Sequence, residues 1–173
     1  MIPTIETQRL RLRAFRDSDL DGYAEYLSDP GVVCYLGHGQ PLSRKETWCQ
    51  MAMFLGHWSL RGYGMWAVEN RQSLEFLGRV GFHHPEGWPG FEIGWVLGKQ
   101  HWGKGFATEA GRVALAFAFT KLGRDSVISL IHPQNAASIA VAKRLGLSFH
   151  SEIEVGGIEV VVYRVTEAEF CAI

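Results

Sequence analysis

The sequence predicts an α/β fold of the α+β kind: a mixed, mostly antiparallel sheet of about seven strands carrying about four helices. Three observations predict it. Apolar and charged residues alternate with period two near the start, three strand-like runs joined by short loops follow, and helical periodicity then alternates with strands to the end.

The first strand covers residues 10–14, where Leu10 and Leu12 alternate with Arg11 and Arg13. Asp17, Ser18 and Asp19 supply caps and acids for a helix to about Leu27, stopped before Pro30. Ser43 with Glu46 three residues on has the form of a capping box, opening a second helix through Trp48, Met51 and Leu55. Residues 61–64, with two glycines, end it. Runs at 65–69, 76–83 and 91–97 then read as an antiparallel meander, with a turn at 70–73 and a longer loop at 85–90. From Gly105 to about Leu122 the apolar positions recur at helical spacing. A strand at 126–131 follows, then a helix from Asn135 to Leu145 ended by Gly146 at the C′ position. Strands at 148–154 and 159–165 flank a Gly156-Gly157 turn and close the sheet.

No repeat, low-complexity stretch or linker divides the 173 residues, so residues 1–173 are expected to form a single domain. A net charge of −1 advertises neither nucleic acid nor an anionic membrane as partner. No apolar run reaches the ~20 residues a membrane-spanning helix needs, and the first residues lack the apolar core of a signal peptide. Cys34, Cys49 and Cys171 are odd in number and widely spaced, which argues for a reducing, cytoplasmic compartment without a disulfide framework.

Chemistry concentrates at residues 92–110, which read as strand, tight glycine loop and helix. A helix N-terminus offers unpaired N–H groups and partial positive charge to a phosphate. Gly103 and Gly105 allow the backbone to approach an anion closely, and Lys99 and Lys104 add positive charge. A dinucleotide fingerprint would need a small residue, preferably glycine, where Thr108 stands, and a place in an N-terminal βαβ unit. Gly98 to Lys104 approaches a phosphate-binding P-loop, but Gly105 replaces the hydroxyl residue that would ligate Mg²⁺.

The series Gln100, Gly103, Gly105, Ala107 resembles the coenzyme A pyrophosphate motif of the GNAT superfamily of N-acetyltransferases. The order of elements is similar to that family along nearly the whole chain. Three further words resemble its ribosomal-protein N-terminal (alanine) acetyltransferase branch: Thr7-Gln8-Arg9-Leu10 with Leu12-Arg13, Glu92-Ile93-Gly94-Trp95, and Asn135 with Ser138. The resemblance implies transfer of an acetyl group from acetyl-CoA to a primary amine by direct attack in a ternary complex, with no metal. The acceptor would be a small molecule or a protein N-terminal α-amine, and the enzyme a monomer or homodimer. It further implies that the strand at 91–97 splays from its neighbour. Trp95, Val96 and Leu97 would line the pantetheine arm, and a free N–H, that of Val96, would polarise the thioester carbonyl. Gln100, Trp102, Gly103, Lys104, Gly105, Ala107 and Thr108 would form the pyrophosphate cradle, and Asn135 and Ser138 would contact the arm.

An attacking amine must lose a proton, and Glu92 is the candidate base, acting through a water. Glu154 is the alternative carboxylate. The tyrosine that serves many relatives as general acid is replaced by Ala142, so Ser138 is the remaining candidate partner for the leaving sulfur. That departure keeps open a non-catalytic acyl-CoA-binding protein of the same fold. The histidines show no metal-ligand spacing. His83 and His84 read as surface residues at a strand end, and His101 as a solvated loop residue. Cys34 and Cys49 read as buried, since no partner base nominates a nucleophile. Tyr163 reads as core or pocket. Among the six tryptophans, those on the second helix and in the Trp88 loop are expected near the acceptor.

Overall fold

The computed structural model describes residues 1–172. Strands β1 (Ile5–Glu6) and β2 (Leu10–Arg13) lead through a 3₁₀ turn (Asp17–Asp19) into helices α1 (Leu20–Ser28), α2 (Pro30–Val33) and α3 (Arg44–Arg61). The meander β3 (Met65–Asn70), β4 (Phe76–His83) and β5 (Glu92–Leu97) follows. After a second 3₁₀ turn (Lys99–His101) come α4 (Phe106–Thr120), β6 (Ser126–Ile131), α5 (Ala136–Arg144), β7 (Ser148–Val155), β8 (Ile158–Thr166) and α6 (Glu167–Cys171). One eight-stranded sheet runs in the order β1-β2-β3-β4-β5-β6-β8-β7. Every pairing is antiparallel except β5 with β6.

The class matches the expectation, and the count differs for local reasons. β1 has only two residues, too few for a period-two signal. Pro30 does not merely stop a helix; it starts α2, because Asp29 accepts from the Gly31 N–H (2.7 Å) and proline suits the first turn. α6 is a single capped turn, with Thr166 and Glu169 forming a capping box.

The box at Ser43 and Glu46 does open α3, and Gly62 ends it in the left-handed region (φ 74°). Its buried stripe differs from the expected one. Thr47, Met51, Phe54 and Trp58 face the sheet at helical spacing, whereas Trp48 and Leu55 are exposed.

Alternation along β5 divides the interior. Ile93 and Leu97 join the core beneath α4 with Leu10, Leu12, Trp66 and Leu115. Val96 faces the other side, among Tyr23, Leu27, Met51 and Phe54 from α1 and α3. Arg13 breaks the polar-out pattern of β2: it is buried, with its guanidinium bound to both Asp19 oxygens (2.7 Å each) and to Glu69 (2.8 Å). The network ties β2 and β3 to the turn before α1, and its pairing offsets the cost of desolvating the charges.

The sheet opens at its one parallel junction. β5 and β6 share a single register pair, Glu92 with Ile128, anchored by the Ile128 N–H on the Phe91 carbonyl (3.0 Å). Beyond that pair the strands diverge, as the resemblance implies.

Candidate active site

A cavity of about 1160 Å³ occupies this opening, walled by β5, the start of α4 and α5. Trp95, Val96, Leu97, Trp102, Gly103, Gly105, Ala107, Thr108, Asn135 and Ser138 all line it. Gln100 and Lys104 do not; both are exposed, and Lys104 instead turns its carbonyl to Arg9 Nη1 (3.0 Å). The first helical bond of α4 is donated by Glu109 to Gly105 (3.0 Å), so the preceding N–H groups have no intrahelical partner. Gly103 (φ 73°) and Gly105 (φ 79°) are both left-handed, a conformation that costs residues with a Cβ. No atom beyond the chain neighbours lies within 4 Å of where a Gly103 Cβ would stand. The loop is thus open and backbone-lined, with the features an anion cradle needs.

Its position is held by residues the motif does not contain. Glu109, in the first turn of α4, accepts from the Thr7 hydroxyl (2.6 Å), the Arg9 N–H (3.0 Å) and Arg9 Nε (2.6 Å). Burial pushes the Glu109 carboxyl up, but these donors outweigh it and hold its pKa below the ordinary value. Thr7 and Arg9 of the N-terminal word therefore clamp the cradle from the turn between β1 and β2. At the other end Gly98 lies against the Tyr26 ring, and Tyr26 bonds the Phe76 carbonyl (2.9 Å) and His101 Nε2 (3.1 Å). His101 is buried, not solvated; its enclosure holds its pKa down. The sequence carried no signal for this, because Tyr26 lies 75 residues away.

The register corrects one expectation. Gly98 donates to Leu77 on β4 (3.0 Å), and Phe91 accepts from β6, so even-numbered residues of β5 turn their backbone to β4 and odd-numbered ones to the gap. The Val96 N–H faces Arg79 on β4. The N–H groups of Trp95 and Leu97 face the gap, and the Leu97 carbonyl is occupied by the Trp102 indole (2.9 Å).

A second cavity of about 640 Å³ lies on the α3 side of β5. Trp95, Asn135, Ser138, Tyr35 and Leu36 line both cavities, so the two meet there. Asn135 caps α5 through the Ser138 N–H (3.1 Å), and the Trp95 indole donates to Ser138 Oγ (3.3 Å). Glu92 lines the second cavity, accepting from the Trp88 indole (2.8 Å) and the Leu130 N–H (3.4 Å). Burial pushes its pKa up to about 7, against the lowering by Trp88, Leu130 and Arg79. Glu154 is exposed and lines neither cavity.

Trp88 lies at the second cavity as expected, but Trp48 and Trp58 do not line it; α3 contributes Gln50, Met53 and Phe54. His83 is half-buried against Trp88, with its pKa pulled down to about 4 by burial and then by Arg79, His57 and His84. His84 packs on the other face beside Phe91. Tyr163 is core. Cys34, Cys49 and Cys171 are free and exposed, contrary to the buried reading of the first two; Cys34 ends α2, Cys49 lies on the outer face of α3 and Cys171 ends α6. Among the described residues no group of three or more His, Cys, Asp or Glu could hold a metal, and no helix is long and apolar enough to cross a membrane.

A splayed β5/β6 pair, a glycine anion cradle at a helix N-terminus and a second cavity meeting the first at the splay define an acyltransferase architecture. The chain belongs to the acetyltransferase (GNAT) domain family, whose model matches residues 9–148. It is 32% identical over 151 residues to p20, an uncharacterized N-acetyltransferase of Bacillus licheniformis, covering 86% of this chain and 83% of that one. The acetyltransferase from Agrobacterium tumefaciens str. C58 superposes with TM-score 0.86 at 30% identity, over 96% of both chains. RimL, a ribosomal L7/L12 α-N-protein acetyltransferase solved with coenzyme A, shares the fold (TM-score 0.77, 21% identity, 95% of this chain and 98% of that one). The protein is an enzyme of the acetyltransferase class.

Proposed function

We propose that residues 1–173 act as one domain that transfers an acetyl group from acetyl-CoA to a primary amine, by direct attack in a ternary complex. The observation that carries this is the meeting of the two cavities at Trp95, Asn135 and Ser138, between the anion cradle and Glu92.

The site fits acetyl-CoA. The open N–H groups at α4 suit its pyrophosphate, and the unpaired edge of β5 suits the amides of its pantetheine arm. Bound there, it supplies an activated thioester. The Trp95 N–H, on the gap side of β5 where the cavities meet, takes the carbonyl-polarising role in place of Val96. Glu92 takes the amine proton, directly or through a water; a carboxyl raised to about 7 is matched to that task near neutral pH. Ser138 Oγ already accepts from the Trp95 indole, which leaves its own proton free for the departing sulfur. Asn135 Oδ1 is used by the cap, so its amide N–H₂ is the group left for the arm. The need for coenzyme A and the free cysteines suit a reducing, cytoplasmic setting.

Isothermal titration with acetyl-CoA, beside ATP·Mg²⁺, on the wild type and Gly105→Trp tests the reading, with circular dichroism to check folding. Binding of acetyl-CoA alone, lost in the folded variant, is expected, because an indole at Gly105 would fill the cradle and its Cβ would strain the left-handed backbone there. No acetyl-CoA binding by the wild type would sink the proposal. Binding without thiol release from any amine would support the non-catalytic acyl-CoA-binding alternative.

A further inference from the structure

Among the described residues, one permanent cation, Arg79, and one carboxylate, Glu92, line the acceptor cavity. Arg79 is half-buried on β4, yet among the described residues no carboxylate forms an ion pair with it. All its contacts are to neutral groups. Its Nε donates to the Tyr23 hydroxyl (2.7 Å), Nη1 donates to Met65 Sδ (3.4 Å), and the guanidinium lies 5.1 Å from the Phe54 ring centroid. Tyr23 in turn donates to Gln50 Oε1 (2.5 Å), which fixes the hydroxyl that fixes Arg79. Arg13, by contrast, is enclosed with Asp19 and Glu69 beside it. A half-buried guanidinium that lines a cavity without an ion-pair partner, and is held in place by a tyrosine hydroxyl, is prepared to receive an anion.

The strand register sets where that anion would lie. Paired residues of β4 and β5 share a face: Arg79 opposes Val96, Gly81 opposes Gly94, and His83 opposes Glu92. The middle pair carries no side chains, and the Met65 side chain covers part of it, with Cε 3.4 Å from where a Gly94 Cβ would stand. Arg79 Nη1 reaches over it, 3.9 Å from where a Gly94 Cβ would stand. Gly94 and Glu92 are two residues apart, about 6.6 Å along the strand. Positive and negative groups thus face one small space without forming a direct ion pair, Arg79 acting on Glu92 only through space.

We infer that the acceptor is a small zwitterionic amino-carboxylate, an amino acid in the broad sense, whose carboxylate is bound by Arg79 while its amine is presented to Glu92. This rests on the acetyltransferase reading above and makes Arg79 a specificity-determining residue of the same site. The guanidinium fork matches a carboxylate bidentately; the cradle, on the other side of β5, serves the donor.

The test compares thiol release with a panel of α-, β- and ω-amino acids and the corresponding amides, for wild type, Arg79→Gln and Arg79→Lys. The amide's amine is the weaker base and sheds its proton more readily, so intrinsic reactivity favours the amide. For the wild type a higher kcat/KM for the acids is expected, by about 10- to 100-fold, carried mainly by KM. In Arg79→Gln the acid-to-amide ratio should fall towards one, and Arg79→Lys should restore part of it. A wild type that turns over amides or peptide N-termini as well as the acids, or no acid in the panel, overturns the inference without any variant. So does an acid preference that survives Arg79→Gln. Acetyl-CoA titration of the same samples separates the two failures: lost donor binding removes the acetyltransferase reading, whereas intact donor binding without acid preference removes only this one.

Discussion

In the proposed mechanism Glu92 carries two duties that pull in opposite directions. Its carboxylate bridges β5 to the Leu130 N–H of β6, a ladder position that the splay leaves without a backbone partner. The same enclosure raises its pKa to about 7, so the group is half protonated near neutrality. As a base it must be ionised, so turnover should rise with pH through about 7. Glu92→Gln should lower kcat by about 10²- to 10⁴-fold and flatten that limb of the pH profile. Linkage fixes the sign for stability. A carboxyl raised above its ordinary 4.5 contributes stability that is complete below that value and lost as pH climbs through about 7. The melting temperature of wild type relative to Glu92→Gln should therefore fall between pH 5 and pH 8; a rise over that interval would mean that Glu92 is stabilised as the carboxylate.

At the scale of elements, the cradle is a strand–loop–helix unit gripped at both ends by distant chain. Gly98 begins it with an ordinary negative φ of −55°, so it is not a glycine for backbone reasons. A Cβ there would stand 2.6 Å from Tyr26 Cε1, inside the ring that α1 lays against the loop. Gly98→Ala should cost about 1–3 kcal/mol by overpacking, read as a lower melting temperature, together with weaker acetyl-CoA binding as the loop is pushed outwards. Gly105 differs in kind: its φ of 79° requires glycine whatever the space around it. α4 in turn leans on the N-terminal segment, because Glu109 gathers Thr7 and Arg9 at a distance of about a hundred residues in sequence.

Across the whole molecule, the sheet joins two cores of different character. The one under α4 is aliphatic and aromatic, while the α1/α3 side holds the polar set of Tyr23, Gln50 and Arg79 beside the acceptor cavity. The Arg13–Asp19–Glu69 network ties the acceptor-side helices to the sheet. Asp19→Asn removes one of the two carboxylates on Arg13 and leaves Glu69 as its counter-ion, so it should destabilise the fold by about 1–3 kcal/mol in denaturant titration. A cost below about 1 kcal/mol would show that water reaches Arg13 freely.

Much of this was readable in one dimension. The meander, the long helices and the glycine cradle are local patterns: period two, period 3.6, and a loop whose φ values only glycine adopts cheaply. Ser43 with Glu46 lies within one turn and acts across three residues, so its capping box could be written down from spacing alone. What the sequence could not carry was any property made by residues far apart. The pKa of Glu92 depends on Trp88 and on a strand entered some 35 residues later; the burial of His101 depends on Tyr26; the clamp on α4 depends on Thr7 and Arg9. The side of β5 on which an N–H is free depends on register, which moved the expectation from Val96 to Trp95. Arg79 carries no local signal, since a missing counter-ion is a fact about space. Local conformational preference settled which elements form; desolvation and charge pairing, which exist only once those elements pack, decided what the site can do.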